Sequence, residues 1–573
     1  MHGSLAGYNP SPHRCMPSTF QPWACRDRTI RKVVARFFLI PFLVLLSACA
    51  THPGKVGFVR SASEYAEPVL RTPEGELRGM RGAGVRAFLG VPYAVPPVGE
   101  LRWRAPRPVQ PWAGTRDATR IGADCTQALG PKSILGGGGG VVFGSEDCLY
   151  LNIYGPAVAP ERLRPVIVYL PGGAFTVGSG ANYDPSRLAV EQDRLVVTVN
   201  YRLGALGWLA HPEFAADGEG VTPPGLGGNW GLMDQQAALR WVHQRIAAFG
   251  GDPGDVTLIG ESAGAWSACH LMTSPASEGL FQRVILQSGT CVEPGSLWSA
   301  DEAAQGGEAF AASVGCEGPD VVACLRAAPA GRIARAASTR SGLNGPGSWG
   351  PVYGDATVPV APPLAFARGD FMKVPVIVGS NRDEGRLFAV KVRDTERYRA
   401  QTLWMYGDDG PGVLDRYPIG PEGPGATMAR SFTDQKFACP ADALRRVLAR
   451  YVPVWGYEFA DPDAPFALSA LLNAPYDLGA YHASEATYVF GTKWIFADPA
   501  RFTAEQRALS DRMMRLWAGF GHDADFEAGW PRAADSGRIR VFQPTGDVID
   551  DGFAARSRCA FWATTGFGPV APR

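Results

Sequence analysis

With 55 basic and 55 acidic side chains in 573 residues, the chain carries no electrostatic footprint for nucleic acid. Hydrophobic residues make up 46% and charged ones only 19%, which excludes a disordered chain and allows a large core. The 70 Gly and 48 Pro predict many ordered loops, and no repeat of roughly 20–50 residues points to a solenoid.

The chain opens on a targeting segment. Arg26, Arg28, Arg31, Lys32 and Arg36 precede the apolar run Phe37–Ala48. That run is shorter than the roughly 20 residues needed to cross a bilayer, and it suits the apolar core of a signal peptide. It ends in Leu46-Ser47-Ala48-Cys49, which resembles a bacterial lipobox. Cys49 is therefore the expected lipidation site and mature N-terminus. Ordinary secretion, with cleavage at Ala48-Cys49-Ala50, is the alternative. Ala50, rather than Asp, favours outer-membrane sorting in a Gram-negative envelope. Residues 1–49 are read as the leader and 50–573 as a single domain. The leader holds six Lys/Arg and one Asp, so the remainder has 49 basic against 54 acidic groups.

Export leaves eight of the 11 cysteines in an oxidising compartment, where pairing is the default. Sequence closeness favours Cys125–Cys148 and Cys316–Cys324. No Cys-x-x-Cys or His-rich spacing points to zinc, so no metal is expected.

Residues 50–120 read as a β-rich stretch. Three prolines in Phe88–Pro97 exclude a helix there. Gly136–Gly140, between two cysteines, is a loop and not a phosphate cradle, because no Gly-Lys-Ser/Thr follows. Pro165–Leu170, Leu195–Asn200, Val256–Ile259, Val284–Gln287 and Val374–Gly379 are short β-branched runs that suit strands buried on both faces of a parallel sheet. Gly231–Phe249 has apolar residues at helical spacing. Alternation of these types predicts an α/β core with its site at the strands' C-terminal edge.

One strand runs into Gly260-Glu261-Ser262-Ala263-Gly264, the G-x-S-x-G pattern of a nucleophile elbow. A serine hydroxyl is a poor nucleophile. It needs a base, and its addition product needs hydrogen-bond donors. A tight strand-to-helix turn puts Ser262 at a helix N-terminus, where free N–H groups and the dipole favour negative charge. Pro171-Gly172-Gly173-Ala174-Phe175 follows another strand. Its glycine turn makes the N–H groups of Gly173 and Ala174 candidate oxyanion donors, joined by that of Ala263. For the base, position leaves His211, His482 and His522. His482 is favoured by its loop-like setting late in the chain. The acid belongs in a loop after a strand, where Asp383 and Glu384 are both available.

The chain resembles the type-B carboxylesterase/lipase family, the cholinesterase-like branch of the α/β-hydrolases. The resemblance covers nearly all of residues 65–565. It rests on Gly90-Val91-Pro92-Tyr93-Ala94 with Leu101-Arg102-Trp103, on Ser145–Asn152, on Asn200-Tyr201-Arg202-Leu203-Gly204 and on Phe249-Gly250-Gly251-Asp252-Pro253. It implies the α/β-hydrolase fold, a large and mostly parallel mixed sheet flanked by helices, with long loop insertions. It also implies Glu384 as the acid and His482 as the base, with Glu485 three residues on. Cys439–Cys559 becomes the third disulfide, while Cys269 and Cys291 receive no partner. Arg102–Glu146 and Arg202–Asp234 become buried ion pairs. Glu261, Ser288 and Glu485 become a buried polar network behind the site.

Two departures from the family pattern stand out. Pro171 and Ala174 occupy positions where the family usually has His or Tyr and a third glycine, and the Gly-Gly-Ala form resembles the group that accepts bulky alcohol esters. The Cys125–Cys148 loop lacks the Trp that holds choline in cholinesterases, which argues against a choline ester. The expected activity is hydrolysis of a small-molecule carboxylic ester through an acyl-enzyme, with no cofactor and with membrane contact only through the lipid anchor. A lipase, an amide or carbamate hydrolase, and a non-catalytic binding domain are the alternatives.

Overall fold

The computed structural model describes residues 68–568 apart from 83, 131–139, 217–225, 294–296, 339–348, 495, 523–525, 527–528 and 534–536. The leader, Cys49 and Gly136–Gly139 lie outside the described residues. An 11-stranded sheet organises the chain. Its strands are β1 (Met80–Gly82), β2 (Val85–Pro92), β3 (Tyr150–Pro156), β4 (Arg164–Leu170), β5 (Leu195–Val199), β6 (Gly251–Glu261), β7 (Arg283–Gln287), β8 (Val376–Asn381), β9 (Val454–Phe459), β10 (Ile539–Phe542) and β11 (Val548–Asp550). Across the sheet the order is β11-β10-β9-β8-β7-β6-β4-β5-β3-β2-β1. Every pairing from β10 to β5 is parallel. The strands at both edges pair antiparallel. The expected fold class, α/β with a mostly parallel mixed sheet, is the one observed.

The β-branched runs form the middle of this sheet because both faces are covered. Successive side chains of a strand point to opposite faces. Val166, Val168 and Leu170 of β4 accordingly join one apolar core, and Ile167 and Tyr169 join the other. Strand β7 divides in the same way, with Val284 and Leu286 on one side and Ile285 on the other. Helices α1 (Trp230–Arg245) and α2 (Ala263–Thr273) supply Leu232, Leu239, Val242 and Leu271 to the first core. Helix α3 (Ala504–Gly519) supplies Leu509, Met513 and Trp517 to the second. Among the described residues no helix is long and apolar enough to cross a membrane.

Four disulfides close loops on this frame. They join Cys125 to Cys148, Cys316 to Cys324, Cys439 to Cys559 and Cys269 to Cys291. The last pair had no assignment from sequence, and it ties α2 to the segment after β7. A chain stapled in this way has the chemistry of an exported protein. The expected ion pairs are present too. Arg102 meets both oxygens of Glu146 at 2.6 Å. Arg202 grips both oxygens of Asp234 at 2.7 Å, deep in the core.

Candidate active site

Strand β6 ends at Glu261 and α2 begins at Ala263, so Ser262 is the single residue of the turn. Its backbone sits at φ 53° and ψ −123°, a region that residues with a Cβ rarely adopt. Such strain persists only where the surroundings over-determine it. Here the Ser262 N–H is tied to the Gln287 carbonyl at 2.8 Å. Crowding is relieved at Gly264, where a Cβ would collide with the Leu170 carbonyl of β4. The elbow thus lifts Ser262 above the C-terminal edge of the parallel strands.

The loop after β8 carries Glu384, and a late loop carries His482. His482 Nε2 lies 2.8 Å from Ser262 Oγ, and its Nδ1 lies 2.6 Å from Glu384 Oε2. The other oxygen of Glu384 accepts the Asn381 N–H at 2.7 Å. Asp383, the competing acid, faces away. It accepts the Ala480 N–H at 3.1 Å and pairs with Arg386 at 3.0 Å, which fixes the loop bearing His482. The imidazole is walled by Phe388 and Phe437, with ring centroids 5.3 and 4.9 Å away. The other candidate bases go elsewhere. His211 Nδ1 accepts the Glu213 N–H, and His522 contacts Asp255.

Three buried carboxylates surround this histidine. Glu261 Oε1 is 3.4 Å from His482 Nε2, and among the described residues that oxygen has no hydrogen-bond partner. Glu485 accepts from Asn381 at 2.5 Å and from Gln287 at 3.1 Å. Ser288, expected in the same network, is buried near it, but its Oγ has no partner among the described residues. Burial pushes the imidazole pKa down, but the charges of Glu384, Glu261 and Glu485 outweigh it and raise the pKa to about 9. Burial also raises Glu261 to about 8 and Glu485 to about 7.

The oxyanion candidates lie on the loop after β4. Gly173 has φ 122°, Ala174 φ 51° and Phe175 φ 61°. The Gly173 carbonyl is turned back into the loop, where it accepts from Thr176 and Val177 at 3.0 Å. Ala263, the first residue of α2, has no carbonyl four residues earlier in its helix to take its N–H. Gly172 packs directly on Ser262, for a Cβ there would fall 2.9 Å from Ser262 Cβ. Sequence reasoning missed Asn381, Gln287, Phe388 and Phe437. No motif marks them, since their roles exist only once β7, β8, the loop bearing His482 and the helical segment Asp434–Ala438 converge.

The Carboxylesterase family profile matches residues 66–538. The chain is 36% identical over 549 residues to fumonisin B1 esterase of Sphingopyxis macrogoltabida, covering 92% of this chain and 94% of the relative. It is 34% identical over 484 residues to para-nitrobenzyl esterase of Bacillus subtilis (strain 168), covering 81% and 92%. Rabbit (Oryctolagus cuniculus) cocaine esterase is 34% identical over 510 residues, covering 82% and 90%. A solved PNB esterase structure superposes with a TM-score of 0.72 at 31% identity, covering 87% of this chain and all of the other. The chain therefore belongs to the carboxylesterase family and is a carboxylic ester hydrolase.

Proposed function

We propose that the chain hydrolyses small-molecule carboxylic esters through an acyl-enzyme formed on Ser262. Ser262 Oγ attacks the ester carbonyl while His482 Nε2 takes its proton. The N–H groups of Gly173, Ala174 and Ala263 hold the oxyanion. His482 then protonates the leaving alcohol, and water activated by the same nitrogen releases the acid. Glu384 fixes the imidazole with Nδ1 protonated and stabilises its cation. The supporting observation is the unbroken line Ser262 Oγ to His482 Nε2 to Glu384, at 2.8 and 2.6 Å. The test is hydrolysis of a short p-nitrophenyl ester by Ser262→Ala. Loss of about 10⁶ in kcat is expected, and retention of most activity would end this reading.

The relatives' names refer to fumonisin B1, para-nitrobenzyl and cocaine esters. The triad is indifferent to that choice, so a panel of acyl and alcohol groups identifies the ester this chain takes. We also propose that Cys49 carries lipid in the bacterial envelope and tethers the enzyme there. Labelled palmitate is then incorporated into the wild type and not into Cys49→Ser. Equal labelling of both would refute the anchor.

A further inference from the structure

The oxyanion loop is strained along its length. Gly173, Ala174, Phe175 and Gly178 have φ of 122°, 51°, 61° and 123°. Ala174 and Phe175 carry side chains in the left-handed region, where L residues are disfavoured. Such a run keeps its shape only if it is held from outside. One tether is backbone, the Gly204 N–H donating to the Phe175 carbonyl at 2.7 Å. Two more come from polar side chains.

Tyr201 OH donates to the Pro171 carbonyl at 2.7 Å. Proline has no N–H, so its carbonyl is the only backbone polar group by which Pro171 itself can be held. Gln127 grips the far end. Its Oε1 accepts the Gly178 N–H at 3.0 Å, and its Nε2 donates to the Gly178 carbonyl at 3.1 Å. The same Nε2 lies 3.1 Å from the carbonyl of Cys125, a half of the Cys125–Cys148 disulfide. Both side chains are buried, Tyr201 at 3% and Gln127 at 4% exposure. The hydrogen bonds of these two side chains go to backbone and not to Ser262, His482 or Glu384.

We propose that Tyr201 and Gln127 are positioning residues that clamp the two ends of the oxyanion loop, so that its N–H groups meet the transition state in a fixed geometry. Gln127 thereby links the Cys125–Cys148 loop to catalysis. This rests on the oxyanion assignment above. Because the donors act on charge that develops only in the transition state, slackening the loop lowers kcat and leaves KM nearly unchanged.

The experiment compares Tyr201→Phe, Gln127→Met and Ser262→Ala on a p-nitrophenyl ester, with rates normalised to the serine sites titrated by a fluorophosphonate. Each clamp variant is expected to lose about 10-fold in kcat per titrated site, less than the roughly 10²–10³ lost when an oxyanion donor itself is removed. The Ki of a trifluoromethyl ketone, which adds to the serine and places an oxyanion in the hole, rises by the same factor. A kcat per site within twofold of wild type, or a change confined to KM, overturns the clamp. Activity surviving in Ser262→Ala overturns instead the acyl-enzyme reading on which the oxyanion assignment depends, so the two failures are separable.

Discussion

Asp383 and Glu384 are neighbours with the same functional group, and the fold gives them different work. Glu384 reaches His482 Nδ1, while Asp383 holds the Ala480 N–H and Arg386. A sequence offers both as loop acids. Only the direction in which the chain leaves β8 separates them. Glu261 is the other residue whose setting matters. Its charge helps to raise the His482 pKa, and in the proposed mechanism His482 must be neutral to act as base, so activity is expected to rise with pH as the imidazole loses its proton. Glu261→Gln removes one raising charge. The acid limb of the kcat/KM profile is therefore expected to move to lower pH. A pH–rate profile of the two proteins checks the sign, and an upward move would contradict it.

At the scale of elements, the elbow works because three pieces fit closely. Strand β6 delivers Ser262, α2 begins on the next residue, and Gly264 lets that helix lie against the end of β4. The alternating side chains of β4 and β7 reach both cores, so the strand that leads into Ser262 has packed strands on either side. The loop after β5 is tied to α1 by Arg202 and Asp234, with side-chain exposures of 4% and 0%. Arg202→Met would strand a buried carboxylate and is expected to destabilise the protein by about 3–5 kcal/mol. Removing both charges in Arg202→Met/Asp234→Leu is expected to restore much of that. Urea unfolding of the two variants tests it, and equal losses would show that packing and not the charge dominates.

At the scale of the molecule, the disulfides differ in how much chain they restrain. Cys439–Cys559 closes a separation of 120 residues, and Cys316–Cys324 one of 8. On loop entropy the longer closure contributes about 2 kcal/mol more. Replacing the Cys439–Cys559 pair with serines is expected to lower the thermal midpoint further than replacing Cys316–Cys324. The opposite ranking would mean that local contacts outweigh chain entropy. The Cys269–Cys291 bridge shows where reading by closeness stopped. Its partners are 22 residues apart in sequence, about as close as Cys125 and Cys148, but a strand and a helix lie between them. Only their packing brings the sulfurs together.

Periodicity and composition determined the class of fold. Runs buried on both faces have to be β-branched and continuous, and covering helices have to show the helical period, so both patterns are written locally. The Gly-Glu-Ser-Ala-Gly turn likewise marked Ser262, because a strained turn demands its glycines wherever it occurs. Tertiary structure decided which distant groups meet that serine. His482 lies 220 residues away from Ser262 and 98 from Glu384. Asn381, Gln287, Phe437 and Gln127 surround the site without any motif of their own, and the motif that holds Tyr201 does not say what its hydroxyl meets. Their roles are distances between chain segments, set by strand order and loop direction, and a linear pattern carries neither.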